Sequence, residues 1–233
     1  MFDTNKDPET LQIQVKDGPI THTLKPKPHL KVLGIFIDKD LNWKKQMNIV
    51  KKNSMNVVRN VHRLNRFLPL KHRMNIYNGI ISPLFDYGDI LWGGCSKTDA
   101  KRLQTVQNFA VKSITGNKKY DSASNSFKQL KLLKLEQRRK IHESVFIHKI
   151  LLNVSTPNLH QELSHYFPKA TTRNKTKKRL IVPAHKTSKF EKSPLHRMIT
   201  TWNQTPYNLP KDNVRTHKIH FQKHLVSTIY PSA

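Results

Sequence analysis

The chain has 233 residues, with 42 Lys and Arg against 15 Asp and Glu, a formal net charge of +27 and a single cysteine, Cys95. A compact fold with that charge repels itself unless a polyanion neutralises it, so nucleic acid, RNA or DNA, is the leading partner. One thiol excludes a disulfide framework or a thiolate zinc cluster and fits a reducing intracellular setting, nucleus or cytoplasm; no apolar run of about 18 residues is present for a membrane, and the opening Met1-Phe2-Asp3-Thr4 lacks a signal-peptide layout.

Leu11, Ile13 and Val15 alternate with Gln12 and Gln14, Asp17-Gly18 tolerates positive φ, and Ile20 to Leu24 can return as a partner strand, so a hairpin is expected. After Pro26 and Pro28, the run Lys31-Val32-Leu33-Gly34-Ile35-Phe36-Ile37 is short, β-branched and apolar, as for a strand covered on both faces. From Trp43 the period becomes 3.6. Trp43, Met47, Val50, Val57, Val58, Val61, Leu64 and Leu68 then share one side of a long amphipathic helix.

Pro69 can open a second helix bearing Leu70, Met74, Tyr77 and Ile81, which Ser82-Pro83 ends or kinks. Ser96 with Asp99 forms a capping-box-like start for a third helix, whose Leu103, Val106, Ala110 and Ile114 face inward until Gly116. Polar turn-forming residues fill the stretch to Phe127, after which Leu130, Leu132, Leu133 and Leu135 lead into a helix carrying Ile141, Val145, His148 and Leu152. Residues 171–192 hold many cations and one acid, Glu191, and read as a linker with one short strand over 180–182. Within them, Lys175-Thr176-Lys177-Lys178-Arg179 is either a nuclear signal or a solvated run. Ser193-Pro194 then caps a helix, and Ile219, Leu225, Val226 and Ile229 mark a last one. The fold class is α+β, mainly α.

Enzymatic chemistry finds no anchor in these residues, and neither catalytic residues nor a cofactor are assigned. Two-metal catalysis needs carboxylates that converge on cations about 4 Å apart, whereas the acids are scattered and none occurs between residues 41 and 85. Asp38 and Asp40 are the best metal candidates, yet their setting fits the exposed turn before Trp43 better. His217, His220 and His224 share a helical face at a spacing zinc tolerates, but without a nearby Cys they read as surface residues. No metal site is expected. No Ser, His and Asp nucleophile set and no Gly-Lys-Ser or Gly-Lys-Thr phosphate loop is present.

The positive signal lies on the helix that starts at Trp43. Lys45, Lys52, Arg59 and Arg66 recur every seven residues and stack into a ridge, with Lys44, Lys51 and Arg63 beside it and the apolar stripe opposite. Burying the stripe forces the ridge outward over about 30 Å, enough to follow several phosphates. A solvated helix face ordinarily mixes both charge signs, and no acid is available here to do so.

Several segments also resemble one family. Lys31 through Asp38, followed by Leu41-Asn42-Trp43, is similar to the strand and turn after the polymerase palm of jockey-like non-LTR (LINE-type) retrotransposon reverse transcriptases. Ile80-Ile81-Ser82-Pro83, Tyr87-Gly88, Leu91-Trp92-Gly93, Leu103-Gln104-Thr105-Val106-Gln107-Asn108 and Ile114-Thr115-Gly116 resemble that family's thumb-like region. Trp202-Asn203, Leu209-Pro210, Phe221 and Leu225 resemble its C-terminal tail. Val32 stands where the family often has Tyr, and Gln46 where it often has His.

The chain pattern divides the sequence into residues 1–40, a small antiparallel β-hairpin and strand; 41–153, a helical domain; 154–193, a basic flexible linker; and 194–233, a small C-terminal helical unit, and the resemblance likens the first to the end of a palm and the second to a thumb. It implies a primer-grip-like supporting role for Leu33, Gly34 and Trp43, and binding of a template/primer duplex or hybrid by the region as a whole. The family's Tyr/Phe-x-Asp-Asp motif, fingers and endonuclease have no counterpart here, so the expectation is a non-catalytic fragment of an RNA-directed DNA polymerase. The alternatives are a co-opted cellular nucleic-acid-binding protein and a helical protein-interaction module whose charge serves solubility.

Overall fold

The computed structural model describes residues 13–24, 27–118, 120–155, 157–168, 179–206 and 213–231, leaving aside the side chains of residues 13, 15, 17, 20, 22, 24 and 66. Leu11, residues 175–178 of the basic run, and the Leu209-Pro210 pair fall outside the described residues.

Two hairpins open the chain. β1 (Ile13–Asp17) pairs antiparallel with β2 (Ile20–Leu24), in the register Asp17↔Ile20, through a turn in which Gly18 takes φ 59°. The segment 31–37 is not one strand buried on both faces. It folds back on itself as β3 (His29–Val32) and β4 (Ile35–Asp38), with Val32 opposite Ile35 and all of β3 exposed. The reason is local: Leu33 and Gly34 both adopt positive φ, 46° and 83°, the backbone of a two-residue turn that matches strand twist and that glycine makes affordable. Val32 is 41% exposed and Leu33 85%, so the apolar run there reflects turn and edge rather than core.

Helices follow. α1 (Lys44–Leu64) ends in a 3-10 turn, Asn65–Phe67. α2 (Leu70–Ile76) opens after Pro69 and passes through a π turn, Tyr77–Ile81, into α3 (Ser82–Asp86), whose first turn accommodates Pro83. α4 (Asp89–Trp92) begins beyond Gly88 at φ 65°. A Cβ on Gly88 would collide with the Ile35 side chain, so glycine is what lets the helical layer approach the second hairpin.

α5 (Lys97–Thr115) is bounded as its sequence predicts: Ser96 Oγ accepts the Asp99 N–H at 3.1 Å, and Gly116 closes the helix at φ 78°. The polar stretch after Gly116 holds a helix that composition did not suggest, α6 (Ala123–Leu130). Ser122 caps it, and Phe127 is 1% exposed on its inner side. One large anchor there outweighs the low propensity of its neighbours.

α7 (Leu135–Leu151) is the central strut of the second half. α8 (Pro157–Ser164) buries Leu163, and α9 (Ser188–Glu191) precedes α10 (Pro194–Gln204) and α11 (Val214–Ile229). Residues 180–182 form no strand. Leu180 is instead held at both polar ends by Asn203, which accepts its N–H at 2.9 Å and donates to its carbonyl at 2.8 Å, while Ile181 N–H reaches the Tyr166 carbonyl. Side-chain and loop partners thus satisfy the backbone that a sheet would otherwise satisfy.

The main core joins β4, α1, the π turn, α3, α4, α5 and α6 through Ile35, Met47, Val58, Tyr77, Phe85, Trp92, Val106 and Phe127. A second cluster joins α7, α8 and α10 through Ile147, Leu163, Leu180, Ile199 and Trp202. A third seats Phe221 of α11 against Leu133 and Ile141. No helix among the described residues is long and apolar enough to cross a membrane.

Candidate nucleic-acid interface

The α1 stripe is buried where its period places it. Trp43, Met47, Val50, Val58 and Val61 are inside and Val57 is half-buried, but Leu64 is 51% exposed because the chain turns off into the 3-10 segment there. Of the expected ridge, Lys44, Lys51, Lys52, Arg59 and Arg63 are exposed, and Lys45 is half-buried. The Arg66 side chain lies outside the described residues. None of the ion pairs among the described residues involves a cation of α1. The single nearby acid that is paired, Asp40, meets Lys189 instead.

Lys45 leans inward for a physical reason: its Nζ lies 4.7 Å from the centre of the Phe36 ring, whose other neighbouring cation, Lys31, lies at 5.6 Å. The negative face of the ring holds two ammonium groups near one another without a carboxylate. This joins β3 to the ridge. His29, Lys44, Lys45, Asn48 and Lys52 then line a cleft of about 430 Å³ between the hairpin and the start of α1. His29, Lys31 and Phe36 had no part in the helical pattern, and only the hairpin's return brings them to it.

Two side-chain ties to its backbone hold the hairpin, one from α1 and one from the turn between α3 and α4. Gln46 Oε1 accepts the Phe36 N–H at 3.0 Å, and the Tyr87 hydroxyl donates to the Leu33 carbonyl. Leu33, Gly34 and Trp43, expected to support a primer grip, stand at two different places. Leu33 and Gly34 form the hairpin tip, whereas Trp43 is 8% exposed in the core and enters α1 with φ 63°.

At the far end of α1, the side chains of His62, Arg63 and Asn65 meet Arg73 of α2 and the last turn of α5 around a cavity of about 520 Å³. His62 Nδ1 lies 2.8 Å from Ser113 Oγ, and Arg73 donates to the Leu68 carbonyl at 2.7 Å and to the Ile114 carbonyl at 2.9 Å. The spacing of α1 pointed to Arg63, but not to Asn65, Arg73 or Ser113, because their meeting depends on how α2 and α5 cross α1.

The acids do not all stay scattered. Asp86, Asp89 and His142 bring one ligand atom each to within 4.8 Å of one another, the one such group of three among the described residues. The Asp-Tyr-Gly-Asp spacing around the α3–α4 turn was its only sequence trace. Each member has a protein partner. Arg138 donates to Asp86 through Nε at 3.1 Å and also through Nη2, and His142 Nδ1 lies 2.7 Å from Asp89. A guanidinium bound to the carboxylate disfavours a cation at the same oxygens. Asp38, the other candidate, spends its carboxylate on the backbone N–H groups of Asp40, Asn42 and Trp43.

The expected histidine face on α11 does not form as one surface. His217 is fully buried, 2.9 Å from Ser144 Oγ and packed edge-on or tilted against the rings of His148, Trp202 and Phe221, whereas His220 and His224 are exposed. The buried stripe of α11 runs through His217 and Phe221, so packing against α7 separates the three rings.

No protein-family model matches the chain, and no solved structure does. Two curated relatives do match part of it. A probable RNA-directed DNA polymerase from transposon X-element of Drosophila melanogaster is 27% identical over 123 residues, covering 51% of this chain and 14% of the relative. A probable RNA-directed DNA polymerase from transposon BS of the same organism is 26% identical over 117 residues, covering 49% and 13%. The chain thus spans about one seventh of the length of the relatives it matches. These likenesses support a reverse-transcriptase-like segment within it.

Proposed function

We propose that this chain is a nucleic-acid-holding, non-catalytic segment of a retrotransposon RNA-directed DNA polymerase, which carries a template/primer duplex along the cationic face of α1. The observation that carries the proposal is the outward row of Lys44, Lys51, Lys52, Arg59 and Arg63, extended at one end by the His29 and Lys31 hairpin and unneutralised by any acid between residues 41 and 85. Cations spaced along one rigid helix face match phosphates, whose contacts position a duplex without reading its sequence. The likeness to transposon polymerases agrees with this role. Catalysis is assigned to residues outside this chain, because its convergent acids Asp86 and Asp89 are already held by Arg138 and His142.

Filter binding with a generic RNA–DNA hybrid tests the role. Affinity is expected to fall linearly in log–log with salt, at about 0.9 counterions per duplex phosphate contact. Absence of binding at low salt defeats it, and primer extension by the pure chain with Mg²⁺ or Mn²⁺ defeats its non-catalytic part.

One observation favours a second reading, docking to another polypeptide. Leu30, Leu33 and Leu41 are 60%, 85% and 55% exposed along the second hairpin and in the turn after it, apolar side chains that phosphate binding does not use. The two readings separate in the same experiment, because a docking module has no salt-dependent duplex affinity.

A further inference from the structure

We infer that the cavity at the far end of α1 takes a ribonucleotide and discriminates RNA from DNA through the 2′-hydroxyl, with Asn65 as the reading residue. The inference rests on the proposed role of the α1 face and gives that face a substrate preference.

The wall of the cavity is cationic and polar. His62, Arg63 and Arg73 contribute to it, together with Asn65, Ser113 and Asn117, and no carboxylate lines it. The end of α5 ought to bring negative potential here, since unpaired carbonyls carry the negative end of the helix dipole. They are covered: Asn65 Nδ2 donates to the Ser113 carbonyl at 2.6 Å, and Arg73 Nη1 donates to the Ile114 carbonyl at 2.9 Å. The wall is therefore left suited to a phosphate, with Arg63 exposed at its mouth and continuous with the ridge.

A phosphate alone does not complete the site. Asn65 is 6% exposed, and its Oδ1 has no hydrogen-bond partner. Its amide cannot simply be turned round. The Ser113 carbonyl only accepts, so the NH2 group must face it and the oxygen must face away from it. A buried acceptor without a donor is costly, and a ligand that supplies both an anion for the cationic wall and a neutral donor for Oδ1 satisfies the cavity. A ribonucleotide carries that pair within one residue, phosphate and 2′-OH; a deoxyribonucleotide carries only the phosphate.

The test compares single-stranded RNA, 2′-fluoro RNA and DNA of one sequence against the whole chain. Fluorine keeps the sugar pucker of RNA but cannot donate, so the comparison isolates the hydrogen bond. RNA is expected to bind about three- to tenfold tighter than either analogue, the range of one neutral hydrogen bond. Arg63→Gln is expected to weaken RNA and 2′-fluoro RNA equally and leave their ratio intact, and Asn65→Ala to bring the ratio to one. Should Asn65→Ala fail to fold, the wild-type comparison still decides. Equal binding of RNA and 2′-fluoro RNA overturns the inference while leaving the α1 face in place, and so does binding of none of the three single strands; loss of the RNA–DNA hybrid in filter binding is what overturns the face itself.

Discussion

The carboxylate of Asp38 accepts the backbone N–H of Trp43 at 2.7 Å, and through its other oxygen the N–H groups of Asn42 at 2.8 Å and Asp40 at 3.1 Å. One acid at the end of β4 thereby ties down the start of α1, where Leu41 and Trp43 both run at positive φ, 54° and 63°. A backbone that L side chains rarely adopt persists only when its surroundings hold it. Asp38→Ala is expected to cost about 1 to 2 kcal/mol of stability, as loss of a strong cap does, read by urea denaturation. A midpoint equal to that of the wild type shows that the turn holds itself.

Reversal of Lys52, Arg59 and Arg63 to Glu together is expected to reduce duplex affinity by about a hundredfold or more at moderate salt, and replacement of any one by Ala to lower the salt slope by about one. Side chains this exposed contribute little to folding, so the melting curve should stay in place. Affinity that survives the triple reversal removes α1 from the interface.

Glu143, 3% exposed, accepts from Arg197 Nε at 3.0 Å and from Thr201 Oγ1 at 2.7 Å, and Arg197 also donates to the Ile90 and Lys192 carbonyls. The pair binds α10 to α7 and to α4. Removing one partner strands the other charge, so Arg197→Met is expected to destabilise by about 3 to 5 kcal/mol, and Arg197→Met with Glu143→Leu by clearly less. A double variant as unstable as the sum of the singles contradicts a closed buried pair.

Burial pushes the Cys95 thiol and the Tyr77 hydroxyl above their ordinary values of 9.0 and 10.0, although Gln107 donates to the Tyr77 oxygen at 2.9 Å and opposes the shift. A group with a raised folded pKa ionises first in the unfolded chain. Stability is therefore whole below pH 9 and is lost as pH rises through the folded values. Urea midpoints are expected to be equal at pH 7 and pH 8 and lower at pH 10.5, with Cys95→Ser recovering part of the loss and native Cys95 alkylating slowly. Rapid alkylation at neutral pH contradicts the burial.

Much of the helical layer is legible in the amino-acid sequence, because a 3.6-residue period, a Ser96 cap and a Gly116 stop act within a few residues of themselves. The same locality gave the outward cationic face of α1, since burying Met47, Val50 and Val58 on one side leaves Lys52 and Arg59 nowhere else to point. Composition failed at Leu33-Gly34, where a turn was hidden inside an apolar run, and at α6, where Phe127 alone makes a polar stretch worth folding.

What belonged to the tertiary structure was every meeting of residues distant in the chain. His29 and Phe36 reach Lys45 only because β4 returns against α1, Asn65 reaches Ser113 only because α5 crosses it, and His217 leaves its neighbours only because α11 lies on α7. Periodicity says which side of a helix is apolar. Which partner covers that side, and so which polar groups are brought together at its margins, is decided by packing between segments that the local pattern does not connect.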